Sequence, residues 1–347
     1  MKIGKISTFT TQSFMREWTS FVRNNMNETG FESTTGRHYN MSGALGYKTG
    51  TLADIANQIG AYQAFKTSNG VIGNKLDFVQ KSIKSIFNAD KHSPGPFQTF
   101  LTALLATTSP SNINAVKMSA DAFMGALNSG LNSTYDGEYI FGGTKNQEAP
   151  LKDMQKALTV IKDAYKKFLN GKDPSKATPE DVKGFLNGKV FNDFFEGKQW
   201  SNLFSNATDE RVQNRISEAG ESVEETSSVN AFKSAIKSVM MIEVTFDSKM
   251  SNEARKAVME TTGTYAAGEG VTSFLDEQMR LGAAQNRIKQ MEDFYNIRLK
   301  VLNSADVELG GVNQDDAAVR ENELQQSLDI ALQISSRLYK LSLLNYL

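Results

Sequence analysis

The stretch LADIANQIGAYQAFKTSNGVIGNKLDFVQKSIKSIF, residues 52–87, decides the fold class of this chain. Its apolar residues recur at steps of three and four, which puts them on one stripe of a helix of coiled-coil type. At ~1.5 Å per residue such a helix is about 50 Å long. The stripe contains one polar residue, Asn69, of the kind that sets the register of a coiled coil. Its apolar members are Leu52, Ile55, Ile59, Tyr62, Phe65, Ile72, Leu76, Val79, Ile83 and Ile86.

The same spacing returns at both ends of the chain. A long helix is predicted for residues 271–309 and a last one for 315–344, separated by Gly310 and Gly311. A shorter stripe near the N-terminus comprises Phe14, Trp18 and Phe21. A single amphipathic helix cannot bury its stripe alone, so we expect the N-terminal helices to pack on the C-terminal ones.

The middle of the chain has a different pattern. A second helix is predicted for residues 110–131, with Ser109 as its N-cap and Pro110 at its first position. The pair Asp136-Gly137, followed by a short strand-like run, predicts a small β-hairpin. Further helices are predicted for 151–169, after Thr178 and after Ser251, and residues 231–246 are interpreted as helical or buried. Residues 211–228 are interpreted as exposed strands or loop.

The predicted fold is therefore mainly α. Both chain ends form discontinuous long-helix coiled-coil or bundle domains, with a small β-hairpin element and an inserted α+β outer domain. We expect residues 1–45 with 312–347 to form a terminal helical domain. Residues 46–150 with 265–311 are expected to form a helical bundle that carries the β element, and 151–264 the inserted outer domain.

Composition excludes several classes of function. The 347 residues include 38 basic and 39 acidic side chains, a net charge of −1, whereas a duplex binder needs a surplus of cations. The absence of cysteine excludes disulfides, zinc–thiolate sites and thiol nucleophiles. No apolar run is long enough to span a bilayer, and the first residues lack the apolar core of a cleavable secretory signal. We expect no nucleic acid, membrane, metal or cofactor partner.

The residues that could carry chemistry have simpler structural interpretations. His38 and His92, the only histidines, both lie in predicted turns, so neither is expected to act as a ligand or catalyst. Glu221, Glu224 and Glu225 lack the spacing of a calcium loop and are interpreted as a solvated face. The aromatic cluster Phe191, Phe194, Phe195, Trp200 and Phe204 is interpreted as core, with a ligand groove as the alternative. No constellation supports an enzyme.

Three motifs resemble the flagellin superfamily of bacterial flagella. LGAAQNRI at 281–288, within a broad match over 250–288, is similar to the family's Gly-x-x-Gln-x-Arg-Ile segment. STTGR at 33–37 resembles the family's serine-glycine-arginine turn, and ALGYKTG follows at 44–50. DGEYIFGG at 136–143 is the third match. The motifs lie near both ends of the chain in the family's order, whereas the middle matches weakly.

The resemblance implies a structural subunit of the flagellum that forms a layer of a tubular structure, with the terminal domain lining the channel. The closing LLNYL and the Tyr-Ile-Phe-Gly-Gly run resemble the proteins that join hook to filament, and ALGYKTG at 44–50 resembles their alphaproteobacterial form. A flagellin-type filament subunit is the alternative within the superfamily. A helical adaptor of chemoreceptor type would also fit the stripes, but it would not explain the β-turn motif or the compact insert.

The resemblance also implies partners and a location. The partners would be other copies of the chain, hook-associated protein 1, flagellin, the filament cap protein during assembly and an export chaperone. The subunit would be extracellular, exported unfolded through the flagellar type III channel without a cleaved signal. We expect the assembly interface to use seven stripe residues: Phe14, Trp18, Phe21, Leu324, Leu328, Leu338 and Leu341.

Overall fold

The computed structural model of the chain describes residues 8–87, 94–106 and 110–344, without the side chains of residues 8–9, 110–112 and 338–344. These residues are mostly helical, which confirms the mainly α prediction. The first helices are α1 (Thr8–Thr35), α2 (Met41–Leu45), α3 (Thr49–Phe87), α4 (Pro96–Leu105) and α5 (Pro110–Leu131). The hairpin β1 (Thr134–Tyr135) and β2 (Glu138–Tyr139) follows them.

The second half adds eight helices and a hairpin to this set within the described residues. They are α6 (Met154–Phe168), α7 (Pro179–Leu186), α8 (Lys189–Asn192), α9 (Gly197–Leu203), β3 (Gln213–Arg215), β4 (Ser222–Glu224), α10 (Lys233–Thr245), α11 (Asn252–Tyr265), α12 (Val271–Gly310) and α13 (Gln314–Leu344). A π-helical turn, Ala266–Gly270, joins α11 to α12 without a break in the helical backbone. Two strong predicted N-caps are confirmed, because Thr178 and Asp181 form a capping box and Ser251 accepts from the Ala254 N–H.

The helix α4 was not predicted. Pro96 occupies the first turn of α4, where a residue without an N–H is tolerated. The buried residues of α4, Phe97, Phe100 and Leu104, span only about two turns, so the helical period is too short to be recognised in the sequence. The predicted cap Ser109 and His92 lie outside the described residues.

The chain divides into two compact units, the first comprising Met1–Ala64 with Phe294–Leu347 and the second Phe65–Asp293. In the first unit α1 and α13 pack antiparallel: Ser33 Oγ donates to Glu321 Oε2 at 2.7 Å near one end, and Phe14 and Ile334 line the same groove near the other. The predicted packing of the N-terminal helix on the C-terminal one is therefore observed.

A short backbone pairing joins the turn after α1 to the turn before α13. The Val312 N–H donates to the Gly36 carbonyl at 2.8 Å, and the His38 N–H donates to the Gly310 carbonyl at 3.2 Å. Gly36 has φ +68°, in the left-handed region where a side chain is disfavoured. A Cβ on Gly311 would lie 2.3 Å from the Val307 carbonyl oxygen, so this turn also requires glycine. The serine-glycine-arginine turn and the Gly310-Gly311 pair are thus two halves of one feature.

The second unit has a single apolar core that includes parts of the middle segment. Helix α10 lies at its centre, and every residue from 238 to 245 is buried. Phe232 packs on Phe274 of α12 with ring centroids 5.2 Å apart and on Phe141 at 5.8 Å, so the middle segment and the long helices share this core. The aromatic residues Phe191, Phe195, Trp200 and Phe204 are buried in it, whereas Phe194 is half-buried against it. Residues 151–264 lie within this unit, and the predicted three-part division stays a prediction.

The two hairpins are antiparallel. Asp136 and Gly137 both have positive φ, +56° and +83°, in the turn between β1 and β2, as the Asp-Gly pair predicted. The loop after β3 is held on α3 by Asn69, whose Nδ2 donates to the Ile216 carbonyl at 3.0 Å. Asn69 therefore serves a tertiary hydrogen bond, not the coiled-coil register that the stripe suggested.

Candidate assembly interface

Three aromatic side chains of α1 form an exposed patch, which we call the aromatic wall. Phe14, Trp18 and Phe21 are 61%, 42% and 56% exposed, although their spacing puts them on one face of the helix. The rings of Trp18 and Phe21 stack with centroids 5.6 Å apart. An apolar patch of this kind on a polar helix is typical of a protein interaction site.

The contact between α1 and α13 lies beside this wall and uses other residues. Val22 and Thr29 are buried on α1, and Ala317, Leu328 and Ala331 are buried on α13. The small alanine side chains allow the two helices to approach closely. We call this contact the helix seam.

The predicted interface residues therefore fall into two groups. Phe14, Trp18 and Phe21 are exposed, whereas Leu328 is buried in the seam and Leu324 is half-buried. Leu338 and Leu341 lie in α13, but their side chains are outside the described residues. The structure does not test whether any of the seven contacts another subunit.

Two residues that the sequence reasoning missed extend the wall onto α13. Ile330 and Ile334, four residues apart, are 57% and 44% exposed. They border a groove of about 380 Å³ lined by Phe14, Met15, Trp18, Ser327, Ile330, Ala331 and Ile334. Helix α13 has two apolar faces. The stripe through Leu324 and Leu328 is the face that forms the seam, so it does not predict that Ile330 and Ile334 form a second one.

The other side of the α1–α13 pair is polar. A groove of about 500 Å³ there is lined mainly by α1 side chains with amide, hydroxyl and guanidinium groups: Gln12, Arg16, Thr19, Ser20, Arg23, Asn24 and Asn27. Leu332 and Ser335 contribute from α13. The pair thus has an apolar side, whose exposure to water costs free energy, and a polar side, which water can solvate.

Helix α12 carries a second exposed apolar face in the same unit, which we call the outer stripe. Phe294, Ile297 and Val301 are 42%, 66% and 60% exposed and share one face at spacings of three and four. The buried face of α12 is different: Tyr295 and Leu299 are buried, and the ring of Tyr295 packs on Tyr62 at 5.3 Å. The helical period in the sequence does not distinguish these two faces, because both repeat at steps of three and four.

His38 is placed by the turn that pairs with Gly310. Its Nδ1 lies 3.5 Å from Glu32 Oε1, and Glu32 also accepts from the Tyr39 N–H and lies 3.8 Å from Arg320. Arg37 forms an ion pair with Asp306 at 2.5 Å. These contacts stabilise the turn, and His38 faces no metal or nucleophile among them.

The interpretation of Glu224 and Glu225 as a solvated face is wrong. Glu225 pairs with Lys75 of α3 at 2.8 Å, and Glu224 pairs with Arg280 of α12. These bonds hold the β3–β4 hairpin against the long helices. Sequence spacing could not reveal them, because the partners lie 150 and 56 residues away.

Glu277 is the most deeply buried acid of this network. Burial raises the pKa of Glu277, but the hydrogen bond and charge of Arg280 outweigh it, and Ser227 and Arg211 lower the pKa further. The carboxylate is therefore ionised and paired, as a buried charge requires. Its role is to fasten the segment around the β3–β4 hairpin to α12, through Ser227 and Arg211.

Two further kinds of feature were sought among the described residues, clusters of metal ligands and membrane-spanning helices. Within those residues no group of three or more histidine, aspartate or glutamate side chains is arranged to hold a metal. None of the described helices combines the length and apolarity needed to cross a membrane. A further groove of about 460 Å³ lies in the second unit, between Leu104 and Leu105 of α4 and Met259 and Gly263 of α11.

Comparison with known proteins identifies the C-terminal part of the chain. Residues 264–347 match the family described as the bacterial flagellin C-terminal helical region. A solved structure from Vibrio parahaemolyticus, described as a flagellar hook-associated protein, aligns with 76% of this chain and 97% of its own at 13% identity and a TM-score of 0.45. A likeness of that strength carries no argument about function. No curated protein matches the chain in sequence. The family match shows a flagellin-type helical region and supports a flagellar structural subunit.

Proposed function

We propose that the chain is a non-enzymatic structural subunit of the bacterial flagellum that forms the junction layer between hook and filament, the role of hook-associated protein 3. The observation that carries this proposal is the terminal helix pair. Its C-terminal helix lies in the region that matches flagellin, and its apolar side is exposed in the monomer. A monomer that exposes such a surface on its terminal helices is suited to assembly.

The two sides of the helix pair give each surface a role in a tubular layer. The aromatic wall, with Leu324, Leu338 and Leu341 of α13, forms the contact between subunits, whereas Leu328 stays in the helix seam of the same copy. The groove with Arg16, Arg23 and several amides faces the channel, because a water-filled lumen favours polar side chains. The subunit leaves the cell unfolded through the flagellar type III channel and functions outside it.

The partners follow from the same role. Neighbouring copies complete the layer, hook-associated protein 1 lies below it and flagellin above it. The filament cap protein is present during assembly, and an export chaperone holds the chain beforehand. The Tyr-Ile-Phe-Gly-Gly run at 139–143 supports the junction role, and ALGYKTG at 44–50 supports the alphaproteobacterial type.

A flagellin-type filament subunit is the second candidate. The match of residues 264–347 to the flagellin C-terminal region favours it, since that region is shared with filament subunits. The two roles differ in what a strain without the gene builds.

The experiment is deletion of the gene, with electron microscopy of the cell surface and immunoblotting of the medium. A junction protein is required for the filament to attach, so we expect hooks without filaments and flagellin monomers shed into the medium. Filament-free hooks with no secreted flagellin would point to the filament subunit instead. Hooks that carry ordinary filaments would contradict both roles.

A further inference from the structure

We propose that, in the assembled layer, the aromatic wall of one copy packs against the outer stripe of the next copy in a head-to-tail contact. The inference rests on the proposed function and deepens it by naming the two surfaces that meet. It starts from the presence of two separate exposed apolar faces in one unit, Phe14, Trp18 and Phe21 on α1 and Phe294, Ile297 and Val301 on α12.

The number of faces sets the type of contact. Pairing of wall with wall would leave the outer stripe in water, and pairing of stripe with stripe would leave the wall in water. A contact between wall and stripe removes both from water and uses the hydrophobic free energy of both. Repeated head to tail, it generates a ring or a helix, whereas a two-fold contact closes at two copies.

The shapes of the two faces are complementary. The wall borders an open groove of about 380 Å³ between α1 and α13. The centre of the outer stripe consists of the aliphatic side chains Ile297 and Val301, which project from the surface of α12. Side chains of this size can insert between residues of facing helices as knobs into holes.

The charges beside the two faces are also complementary. Glu17 and Glu28 are exposed on α1 and flank the wall, three residues after Phe14 and seven after Phe21. Arg298 and Lys300 are exposed beside the outer stripe, and the Arg298 guanidinium lies 5.3 Å from the centre of the Phe294 ring. Opposite charges at the rim of an apolar contact fix orientation and exclude other pairings. Two exposed acids lie at the ends of the stripe, Asp293 directly before Phe294 and Glu308 seven residues beyond Val301.

Thiol cross-linking can test this contact. The chain has no cysteine, so every thiol in a variant is an introduced one. Asn25→Cys puts a thiol on the wall face one turn after Phe21, and Val301→Cys puts one in the outer stripe at almost the same volume. The full-length double variant is treated with a short, flexible bismaleimide over a range of protein concentrations. We expect a ladder of dimers, trimers and larger species on a denaturing gel.

Matched variants make the result specific. Each single variant is expected to give monomer alone, because a head-to-tail contact never brings two identical positions together. Arg23→Cys with Val301→Cys moves the first thiol to the polar side of α1, two residues from Asn25, and is expected to lose the ladder. Circular dichroism of each variant checks that its helices are retained.

Several outcomes would overturn the pairing. Dimers from Asn25→Cys alone would show wall against wall, and a double variant that stops at dimers would show a two-fold contact. A double variant that forms no cross-links would assign the wall to a different partner. This conclusion holds whether or not the wild-type chain forms oligomers in sedimentation velocity. None of these results changes the phenotype of the deletion strain, so failure of the pairing is distinguishable from failure of the proposed function.

A charge exchange provides a second readout without thiols. Arg298→Glu places an acid opposite Glu17 and Glu28 and is expected to lower self-association at least tenfold in sedimentation velocity. Adding Glu17→Arg restores an attractive pair, so we expect part of the association to return. An Arg298→Glu variant that associates like the wild type would contradict the proposed contact.

Discussion

Glu243 lies at the centre of α10, the most completely buried helix of the second unit. Its Oε1 atom has no hydrogen-bond partner there. Burial raises the pKa of Glu243 to about 7, with a further rise from Asp121 of α5, while Lys162 and Lys117 oppose the change. Helix α11 faces α10 with apolar and small side chains, so it supplies little to stabilise the ionised form.

The raised pKa makes the second unit less stable as the pH rises. Between the ordinary pKa of 4.5 and about 7, the folded chain keeps a proton that the unfolded chain releases. The free energy of unfolding therefore falls through this range, by at most about 3 kcal/mol. We expect Glu243→Gln to remove most of this slope and to raise the stability at pH 8.

The measurement is urea unfolding at several pH values, followed by tryptophan fluorescence. Trp200 is buried in the second unit and the only other tryptophan is Trp18, so a Trp18→Phe background reports that unit alone. Glu260→Gln is the matched control, since Glu260 is exposed on α11 and pairs with Lys256. A wild-type chain whose stability is constant between pH 4.5 and 8 would contradict the assignment.

At the scale of elements, the α1–α13 pair separates two kinds of apolar residue. Leu328 is buried in the helix seam and stabilises the pair itself, whereas Trp18 is 42% exposed and lies beside the seam. The two residues differ in function although both belong to apolar stripes of amphipathic helices. This distinction decides which substitution damages the monomer and which damages assembly.

We expect Leu328→Glu to destabilise the helix pair by about 2–5 kcal/mol, because it buries a charge in the seam. Trp18→Glu is expected to leave the helix content of the monomer unchanged, because that side chain already meets water, and yet to block incorporation into flagella. Circular dichroism of the purified monomers and complementation of the deletion strain measure the two effects. If Trp18→Glu restores filament attachment, the wall is not an interface.

At the scale of the whole molecule, the two units differ in how much they bury. The second unit encloses a large core with many fully buried aromatic rings, whereas the α1–α13 pair buries few side chains. Local opening needs less free energy where fewer apolar contacts must be broken. The terminal pair should therefore be the part of the chain that opens first and gains most from assembly.

Limited proteolysis tests this difference. In the free monomer we expect a glutamate-specific protease to cut within residues 1–45 and 312–347, where Glu17, Glu28 and Glu323 are exposed, and to spare the second unit. The same sites should be protected in isolated flagella, because neighbouring subunits cover them. Equal resistance of the termini in a confirmed monomer would show that the ends are stable without partners.

The sequence alone determined the long helices, because their apolar residues repeat with the period of the helix itself. The limits of α3, α12 and α13 were therefore predicted within a few residues. Local turn chemistry was equally readable: the Asp136-Gly137 turn and the caps at Thr178 and Ser251 depend on neighbours in the chain. The aromatic wall was also predicted as a set of residues, although not its exposure.

Tertiary structure alone decided which apolar face is buried and which charges are paired. Ile330, Ile334 and the outer stripe have the same periodicity as buried positions, and only the placement of neighbouring helices leaves them in water. Glu224 and Glu225 find their partners on helices distant in sequence, as Asn69 does with the loop after β3. The physical reason is that helical period depends on residues a few positions apart, whereas burial and ion pairing depend on which distant segments come into contact.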